Sequence, residues 1–348
     1  MKAVRIHQHG GREQLRFEDV TEPQSCHGEV IVRLKACALN YRDIEGRVGF
    51  RGVKKLEMPL PQILGADGAG VVVEVGEGVQ GVKIGDEVLL THVIGCGHCY
   101  WCVSGKDHYC PAMRTIGIHR PGTYAQYTRV PRANVIPKPP DLTFEEASCL
   151  ALVLLTCWPM MVTRGRVQAG EEVLVHAAGS GIGTMAIQIA KAYGARVVTT
   201  GGTKAKLQRA IQLGADEVIN YREKNFVEEA TRLTDGRGVD LVVDPVGGQT
   251  LVDSIKTLAQ GGRLVTCASG SLAGDTLSFG LSDVREKRVD LIFSFLGSKA
   301  ELLEALKLVK QGKIKPVIHQ ILSLEDAAVA HQMLEERQQF GKIVLAIP

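Results

Sequence analysis

The stretch "EEVLVHAAGSGIGTMAIQIAKAYGARVVTTGG", residues 171–202, decides the fold. It contains an apolar run over Val173–His176, a glycine-rich turn, a segment of helical periodicity over Gly183–Tyr193, and a second apolar run over Arg196–Thr200. A strand, a helix and a strand in this order are typical of a βαβ unit, whose two strands lie parallel in one sheet. The stretch therefore predicts the beginning of a doubly wound parallel sheet.

The same alternation continues downstream, whereas the pattern upstream is different. Further strands are predicted at "EVINY", "GVDLVVDPVG" and "GGRLVTCASG", so residues 136–288 form the predicted parallel-sheet domain. Residues 1–135 contain short β-rich runs separated by glycine and proline turns, which are typical of a β-rich or barrel-like domain. Residues 289–348 are predicted to return to this first domain. The predicted fold class is therefore α/β with two domains.

The composition excludes several classes of function. A chain of 348 residues with 45% hydrophobic and 23% charged residues is typical of a globular protein with two domains. The formal net charge is only +3, and no run of five Lys and Arg residues offers a nucleic-acid stripe. The amino terminus turns polar at His7, too early for the apolar segment of a secretion signal, and no uninterrupted apolar stretch reaches membrane-spanning length. The sequence predicts a cytoplasmic protein with a small-molecule substrate.

The turn "HAAGSGIG", residues 176–183, is predicted to bind a dinucleotide. It lies where a strand turns into a helix, so backbone amides and the helix dipole can hold a pyrophosphate there. Glycines allow the close approach that side chains would obstruct. The predicted cofactor contacts in this turn are Gly179, Ser180, Gly181, Ile182 and Gly183.

The end of the second strand indicates which dinucleotide is bound. A site for NAD normally has Asp or Glu there to accept hydrogen bonds from the ribose. Here the chain reads "VVTTGGTKAK", residues 197–206, with no acidic residue. Gly202 leaves room for a phosphate, and Lys204 or Lys206 can neutralise it. The pattern favours NADP.

A cluster of cysteines indicates a metal. Four of the nine cysteines lie in "CGHCYWCVSGKDHYC", residues 96–110. In a reducing compartment, clustered thiols more often bind metal than form disulfides.

Taken together, these motifs resemble the medium-chain dehydrogenase/reductase superfamily over the full length of the chain. The resemblance also includes "LKACALNYRDIEGRVG", "ILGADGAGVVVEVGEGVQGVKIGDEV", "LVLLTCWPMM" and "EERQQFGKIVLAIP". It implies a GroES-like catalytic domain of residues 1–135 and 289–348, and a Rossmann domain of residues 136–288. It also implies that hydride transfer takes place in the cleft between these two domains, and that the protein assembles as a homodimer or homotetramer.

Alcohol dehydrogenases of this superfamily contain a structural and a catalytic zinc ion, and the resemblance has a different implication for each. It implies that four cysteines bind a structural zinc, and four soft thiolates agree with this because they leave no position open for substrate. At the positions of the three catalytic-zinc ligands the chain has Asn40, Ala66 and Leu152. The catalytic zinc is therefore predicted to be absent. The structural-zinc ligands are Cys96, Cys99, Cys102 and Cys110.

"ALNYRD" is also similar to the zinc-independent quinone oxidoreductase branch, although that branch usually lacks the four-cysteine segment. The similarity implies that Asn40 contacts the nicotinamide end of the cofactor and that Thr156 lies near it. It implies that the adenosine phosphate is bound by Lys206, Tyr221 and Arg337.

The missing zinc restricts the reaction. A metal lowers the pKa of a bound oxygen from about 16 to about 7, which corresponds to about 12 kcal/mol. Reduction of a quinone or an α,β-unsaturated carbonyl compound does not need this help, since the resulting anion is far less basic than an alkoxide. The predicted function is NADPH-dependent reduction of such an acceptor. Tyr41 is the candidate proton donor, and His92 is a candidate for the substrate pocket.

Two other hypotheses stay open at this point. One is an alcohol dehydrogenase that binds metal through atypical ligands such as Asp67 and His92. The other is a non-catalytic NADPH-binding protein, since loss of the zinc ligands is compatible with loss of turnover. The substrate pocket is expected to depend on the loop at residues 46–60, for which the sequence gives no position.

Overall fold

The computed structural model describes residues 1–50, 58–268 and 276–348, so residues 51–57 of the predicted pocket loop lie outside the described part. The chain divides into two compact units. The first is Met1–Leu152, Ser298–Ala300 and Pro316–Pro348, and the second is Val153–Gly297 and Glu301–Lys315.

The first unit begins with ten short strands and three helices, as its glycine- and proline-punctuated pattern predicts. The strands are β1 Lys2–Ile6, β2 Arg16–Asp19, β3 Glu29–Ala38, β4 Gln62–Ile63, β5 Gly68–Val75, β6 Glu87–Leu90, β7 Val93–Ile94, β8 Arg114–Thr115, β9 Tyr127–Pro131 and β10 Val135–Pro137. The helices are α1 Tyr41–Val48, α2 Tyr100–Val103 and α3 Phe144–Ser148. A fourth helix, α4 Ala151–Trp158, follows.

The second unit is built on a six-stranded parallel sheet in the order β13-β12-β11-β14-β15-β16, the doubly wound order that the sequence predicts. Its strands are β11 Glu172–Val175, β12 Arg196–Gly201, β13 Glu217–Asn220, β14 Val239–Asp244, β15 Leu258–Thr266 and β16 Asp290–Phe293. Its helices are α5 Gly181–Ala192, α6 Lys204–Gln212, α7 Phe226–Leu233, α8 Gly248–Thr257 and α9 Leu281–Arg285. Buried strand residues such as Leu174, Val198 and Val242 form its core.

The last part of the chain supplies α10 Lys299–Lys310, β17 Ile318–Ser323, α11 Ala327–Glu335 and β18 Lys342–Ala346. The last two strands return to the first unit and complete a seven-stranded sheet with the path β10-β6-β5-β3-β18-β17, in which β9 pairs with β3. The unit boundaries differ from those predicted at 135/136 and 288/289. The reason at the second boundary is that β16 pairs in parallel with β15, so the parallel sheet extends beyond residue 288.

Strand register in the first unit brings the ends of β3, β5 and β18 beside each other. β18 pairs antiparallel with β3 so that Val344 lies opposite Ala38, and Leu39 N donates to Ile343 O at 2.9 Å. On the other side of β3, Ala36 lies opposite Ala69 of β5. The residues just beyond these pairs therefore come together at one end of the sheet. Among the helices of the described residues, none has the combination of length and apolarity that a membrane span requires.

Candidate active site

A buried polar network occupies this end of the sheet, where Asn40 follows β3, Asp67 precedes β5 and Lys342 begins β18. Lys342 Nζ donates to Asn40 Oδ1 at 2.6 Å, to Leu39 O at 2.8 Å and to Asp67 Oδ2 at 3.3 Å. Asn40 Nδ2 donates to Asp67 Oδ2 at 2.9 Å and to Ala38 O at 3.2 Å. All three ammonium hydrogens and both amide hydrogens therefore have partners within the protein.

The carboxylate of Asp67 is fully engaged in the same network. Its second oxygen, Oδ1, accepts a hydrogen bond from Leu152 N at 2.9 Å. The side chain is completely buried, and its negative charge is balanced by Lys342. A buried ion pair is stable only when such additional hydrogen bonds satisfy both partners, and this one meets that condition.

These residues do not fit a catalytic metal. Ala66 and Leu152 have no ligating atom, and the polar atoms of Asn40 and Asp67 are directed to each other and to Lys342. Asp67 and His92 belong to no group of three or more possible ligands in the described part of the chain. The lysine ammonium supplies a fixed positive charge within this network.

Helix α1 begins at this network. Asn40 N donates to Asp43 Oδ2 at 2.9 Å, which satisfies one amide before the first turn. Asp43 is buried beneath it, and burial raises its pKa to about 6. The Tyr124 hydroxyl lies 3.3 Å from Asp43 Oδ2 and 3.2 Å from His331 Nε2. Asp43 therefore supports the start of the helix from the interior.

The three predicted catalytic residues differ in environment. Asn40 is buried in the network described above, whereas Tyr41 is 42% exposed. Burial, followed by the charge of Glu45, raises the pKa of the Tyr41 phenol, while the charge of Arg337 opposes this, so the phenol keeps its proton at neutral pH. His92 is only 1% exposed, and burial, Arg42 and Lys299 lower its pKa well below the usual value. Its ring is therefore neutral at neutral pH.

The four cysteines form a compact cluster in the first unit. Their sulfur atoms all lie within 4.8 Å of one another. Cys96 N is 3.3 Å from Cys110 Sγ, and Cys99 N is 3.4 Å from Cys96 Sγ, so backbone amides are positioned to stabilise thiolates. A Cβ at Gly95 would come within 2.7 Å of Cys102 Sγ, which explains the glycine there. The cluster fits a tetrahedral zinc site with no position for substrate.

The nucleotide turn of the second unit has the predicted strand-to-helix geometry. β11 ends at Val175 and α5 begins at Gly181. Ser180 is the N-cap of α5, and its Oγ accepts from Gly183 N at 2.8 Å. A Cβ at Gly183 would lie 2.2 Å from Ala177 O, so this position accepts only glycine without a shift of the backbone.

The carboxyl ends of β12 and β13 lie side by side, with Gly201 opposite Asn220. A Cβ built on Gly202 would lie 2.5 Å from the Tyr221 hydroxyl and 3.2 Å from Arg222 Nε. Lys206 lies in the first turn of α6, where its N is 3.3 Å from Thr203 Oγ1. Arg222, the second residue after β13, is a further cation beside Gly202 that the sequence analysis did not single out, although its place after a parallel strand was a signal for it.

Two other predicted cofactor residues lie elsewhere in the chain. Thr156 is buried in α4 and belongs to the second unit. Arg337 belongs to the first unit, just after α11, and has a backbone φ of 54°.

Comparison with known proteins shows similarity over both units. The family model "Alcohol dehydrogenase GroES-like domain" matches residues 26–140, and the model "Zinc-binding dehydrogenase" matches residues 181–311. The NAD-dependent alcohol dehydrogenase of Sulfolobus acidocaldarius is 34% identical, with all of both chains covered. The acryloyl-coenzyme A reductase of Sulfurisphaera tokodaii is 33% identical over 99% of each chain. The crystal structure of an NAD-dependent alcohol dehydrogenase matches with a TM-score of 0.94 and 44% identity, again over all of both chains.

Proposed function

Since the chain belongs to the medium-chain dehydrogenase/reductase superfamily, a class of nicotinamide-dependent oxidoreductases, we propose that it reduces α,β-unsaturated carbonyl compounds or quinones without a catalytic metal. The observation that carries this proposal is the closed network of Asn40, Asp67 and Lys342. Asn40 stands at one of the three positions that the resemblance assigns to catalytic-zinc ligands, and the backbone N of Leu152, at another, donates to Asp67. A protonated lysine there cannot act as a Lewis acid toward an alcohol oxygen.

The chemistry of the product anion supports conjugate reduction over alcohol oxidation. Without a metal, an alcohol must lose its proton with a pKa of about 16, a disadvantage of about 12 kcal/mol relative to a zinc-bound oxygen. In conjugate reduction, hydride adds to a carbon and the charge spreads into an enolate, which hydrogen bonds can stabilise. The named activity of the acryloyl-coenzyme A reductase relative belongs to this second class.

The protein's own residues have separate roles in this proposal. The exposed Tyr41 phenol, which keeps its proton at neutral pH, donates a proton to the reduced acceptor and regains it from solvent. Asn40 and Thr156 orient the nicotinamide, as the resemblance to quinone oxidoreductases implies. The Lys342 ammonium holds Asn40 through a 2.6 Å hydrogen bond and so fixes the direction of its amide.

We propose NADPH as the hydride donor. Strand β12 ends without a carboxylate to accept hydrogen bonds from ribose, and the Tyr221 hydroxyl and Arg222 Nε pack directly against Gly202. Lys206 and Arg337 are further cations for the phosphate. The similar alcohol dehydrogenases are named for NAD, so a direct comparison of the two cofactors decides this preference.

A cofactor-oxidation screen tests the proposed function. Purified protein with NADPH should reduce members of a panel of enones, enoyl thioesters and quinones, and should oxidise simple primary alcohols slowly or not at all. Fast alcohol oxidation with NAD or NADP would overturn the mechanism. Tight NADPH binding without turnover on any acceptor would favour a non-catalytic NADPH-binding protein instead.

We also propose that the protein forms a homodimer or homotetramer through β16. This strand is at the edge of the parallel sheet, and Phe293 and the following Phe295 are 62% and 73% exposed. An apolar edge strand is a template for pairing with another strand, here from a second copy. Light scattering of Phe295→Glu should show monomers if this edge is the interface.

A further inference from the structure

Arg42 is a poorly exposed cation without a carboxylate partner. It is the second residue of α1, and its Nη2 donates to Thr115 Oγ1 at 3.2 Å. Its Nη1 is inaccessible to water and has no hydrogen-bond partner. Across residues 1–50, 58–268 and 276–348, no carboxylate oxygen lies within 4.0 Å of its guanidinium, whereas the buried Arg47 of the same helix pairs with Glu335. A buried Nη1 left without a partner on a charged group is costly unless a ligand completes it.

His92 contributes a second incomplete polar group beside the same strand pair. Val93 of β7 lies opposite Thr115 of β8, and Ile116 N donates to the His92 carbonyl at 3.0 Å. His92 Nδ1 is buried and has no hydrogen-bond partner. Thr115, whose hydroxyl accepts a hydrogen bond from Arg42, is therefore next in sequence to Ile116, whose amide donates to the His92 carbonyl.

Two cations act on the His92 ring, and the charges of Asp43, Asp67 and Glu45 act on Arg42. Arg42 and Lys299 both lower the pKa of the His92 ring, after burial, and Arg42 also lowers that of His119. Lys299 pairs with Asp107 at 3.5 Å, whereas in the described part of the chain no carboxylate forms an ion pair with Arg42 within 4.0 Å. A guanidinium outside any ion pair and a neutral imidazole therefore lie near enough in the first unit for the charge of one to affect the other.

We propose that the Arg42 guanidinium, with the His92 ring as a second polar contact, binds the carbonyl oxygen of an α,β-unsaturated acyl substrate. This inference rests on the proposed function and narrows its substrate class to enoyl compounds, such as enoyl thioesters. Hydride leaves NADPH with its electron pair and forms a C–H bond at the β-carbon. The π electrons of the C=C bond shift toward the carbonyl, whose oxygen gains the negative charge. A proton from Tyr41 or water then forms the C–H bond at the α-carbon, and NADP⁺ is released.

A guanidinium that forms no ion pair among the described residues is suited to this step. A charge-assisted hydrogen bond strengthens as negative charge develops on the oxygen, so the interaction is larger in the transition state than in the ground state. Loss of one oxyanion donor in other enzymes lowers kcat about 10²–10³-fold. A carboxylate already paired with Arg42 would have cancelled this effect.

The test compares Arg42→Ala, Arg42→Lys and a matched control, Arg114→Gln, in the zinc-loaded full chain. Arg114 is an exposed arginine next to Thr115, so the control removes a local positive charge but not the buried one. We expect Arg42→Ala to lower kcat with crotonyl thioester about 10²-fold. The kcat of Arg42→Lys should lie between those of the wild type and Arg42→Ala, and the Kd for NADPH should be unchanged in both variants. Guanidinium chloride at millimolar concentration should restore part of the activity of Arg42→Ala only. Thr115→Val, which removes the contacts of Thr115 Oγ1 with Arg42 and with His119 Nδ1, should lower kcat by about 10-fold.

A binding measurement separates this inference from the proposed function. Calorimetry with crotonate as the probe and NADP⁺ present should show at least 10-fold weaker binding to Arg42→Ala than to wild type. Binding that depends on Arg42, without turnover by the wild type, would support the site and overturn the reductase assignment. Turnover that is insensitive to Arg42 would overturn the inference and leave the reductase assignment intact. A loss of activity that guanidinium does not restore, together with a lower Tm, would show that Arg42 is structural and would also overturn the inference.

Discussion

Lys342 Nζ lies 3.3 Å from Asp67 Oδ2, and both side chains are buried. The two residues are 275 positions apart in the chain, and Asn40 connects them by hydrogen bonds to each. This relationship explains how the protein keeps a buried carboxylate just before the start of β5 without a metal to balance its charge. It also leads to the first of four predictions.

Lys342→Met should destabilise the protein by about 3–5 kcal/mol, because it leaves the buried Asp67 carboxylate without its counterion. Urea denaturation monitored by circular dichroism gives the free energy of unfolding. The double variant Lys342→Met with Asp67→Asn should recover part of the loss, since the uncompensated charge is gone. Lys307→Met, which breaks an exposed pair with Glu304, is the control and should change stability by about 1 kcal/mol or less. Equal effects of the two lysine variants would mean that the buried pair contributes nothing specific.

One zinc ion per chain is expected, bound by the four clustered cysteines, because no other group of three or more ligands lies in the described residues. Elemental analysis of dialysed protein measures the stoichiometry. Cys102→Ser should lower it toward zero and lower the Tm, whereas Cys26→Ser, at an exposed cysteine outside the cluster, should change neither. Two zinc ions per wild-type chain would contradict a metal-free catalytic site.

NADPH should bind more tightly than NADH, and the difference should depend on the cations near Gly202. Lys206→Ala and Arg222→Ala are each expected to raise the Kd for NADPH about 10-fold, with little change for NADH, because each removes one charge-assisted contact to the phosphate. Fluorescence titration provides both constants. Lys310→Ala, at an exposed lysine of the same unit, is the control. Equal affinity for the two cofactors in the wild type would show that the phosphate site is misplaced.

His331 should make the free energy of unfolding fall as the pH falls from about 6.5 toward 4, whereas Asp43, whose pKa is raised to about 6, should oppose this fall. Burial, followed by the charge of Arg47, lowers the pKa of His331 to about 3. The unfolded chain takes up a proton at this histidine near pH 6.5, whereas the folded chain does not, so protonation favours unfolding throughout this window. In His331→Gln the loss of unfolding free energy between pH 7 and pH 4.5 should be smaller than in the wild type. His27→Gln, at an exposed histidine, should keep the wild-type dependence, and a slope unchanged in His331→Gln would contradict the assignment.

The sequence determined the features that depend on residues close together in the chain. β11, α5 and β12 lie within one or two residues of the predicted ranges because their apolar periodicity is local. The cysteine cluster was equally predictable, since its four ligands lie within fifteen residues and thiolate chemistry restricts what they bind. The absence of an acidic residue at the end of β12 could also be recognised from the sequence without a structure.

Tertiary structure alone decided which polar groups have partners. Lys342 lies beside Asn40, 302 residues away, only because β18 pairs antiparallel with β3 in a register that places Val344 opposite Ala38. A shift of one residue in that register would turn the lysine to the other face of the sheet. Arg47 and Arg42 lie in the same helix and cannot be distinguished by residue type, yet only the fold shows that Glu335 balances one charge while the other has no carboxylate partner among the described residues. Pairings of this kind depend on strand register and helix packing between distant segments, and no local pattern of the sequence encodes them.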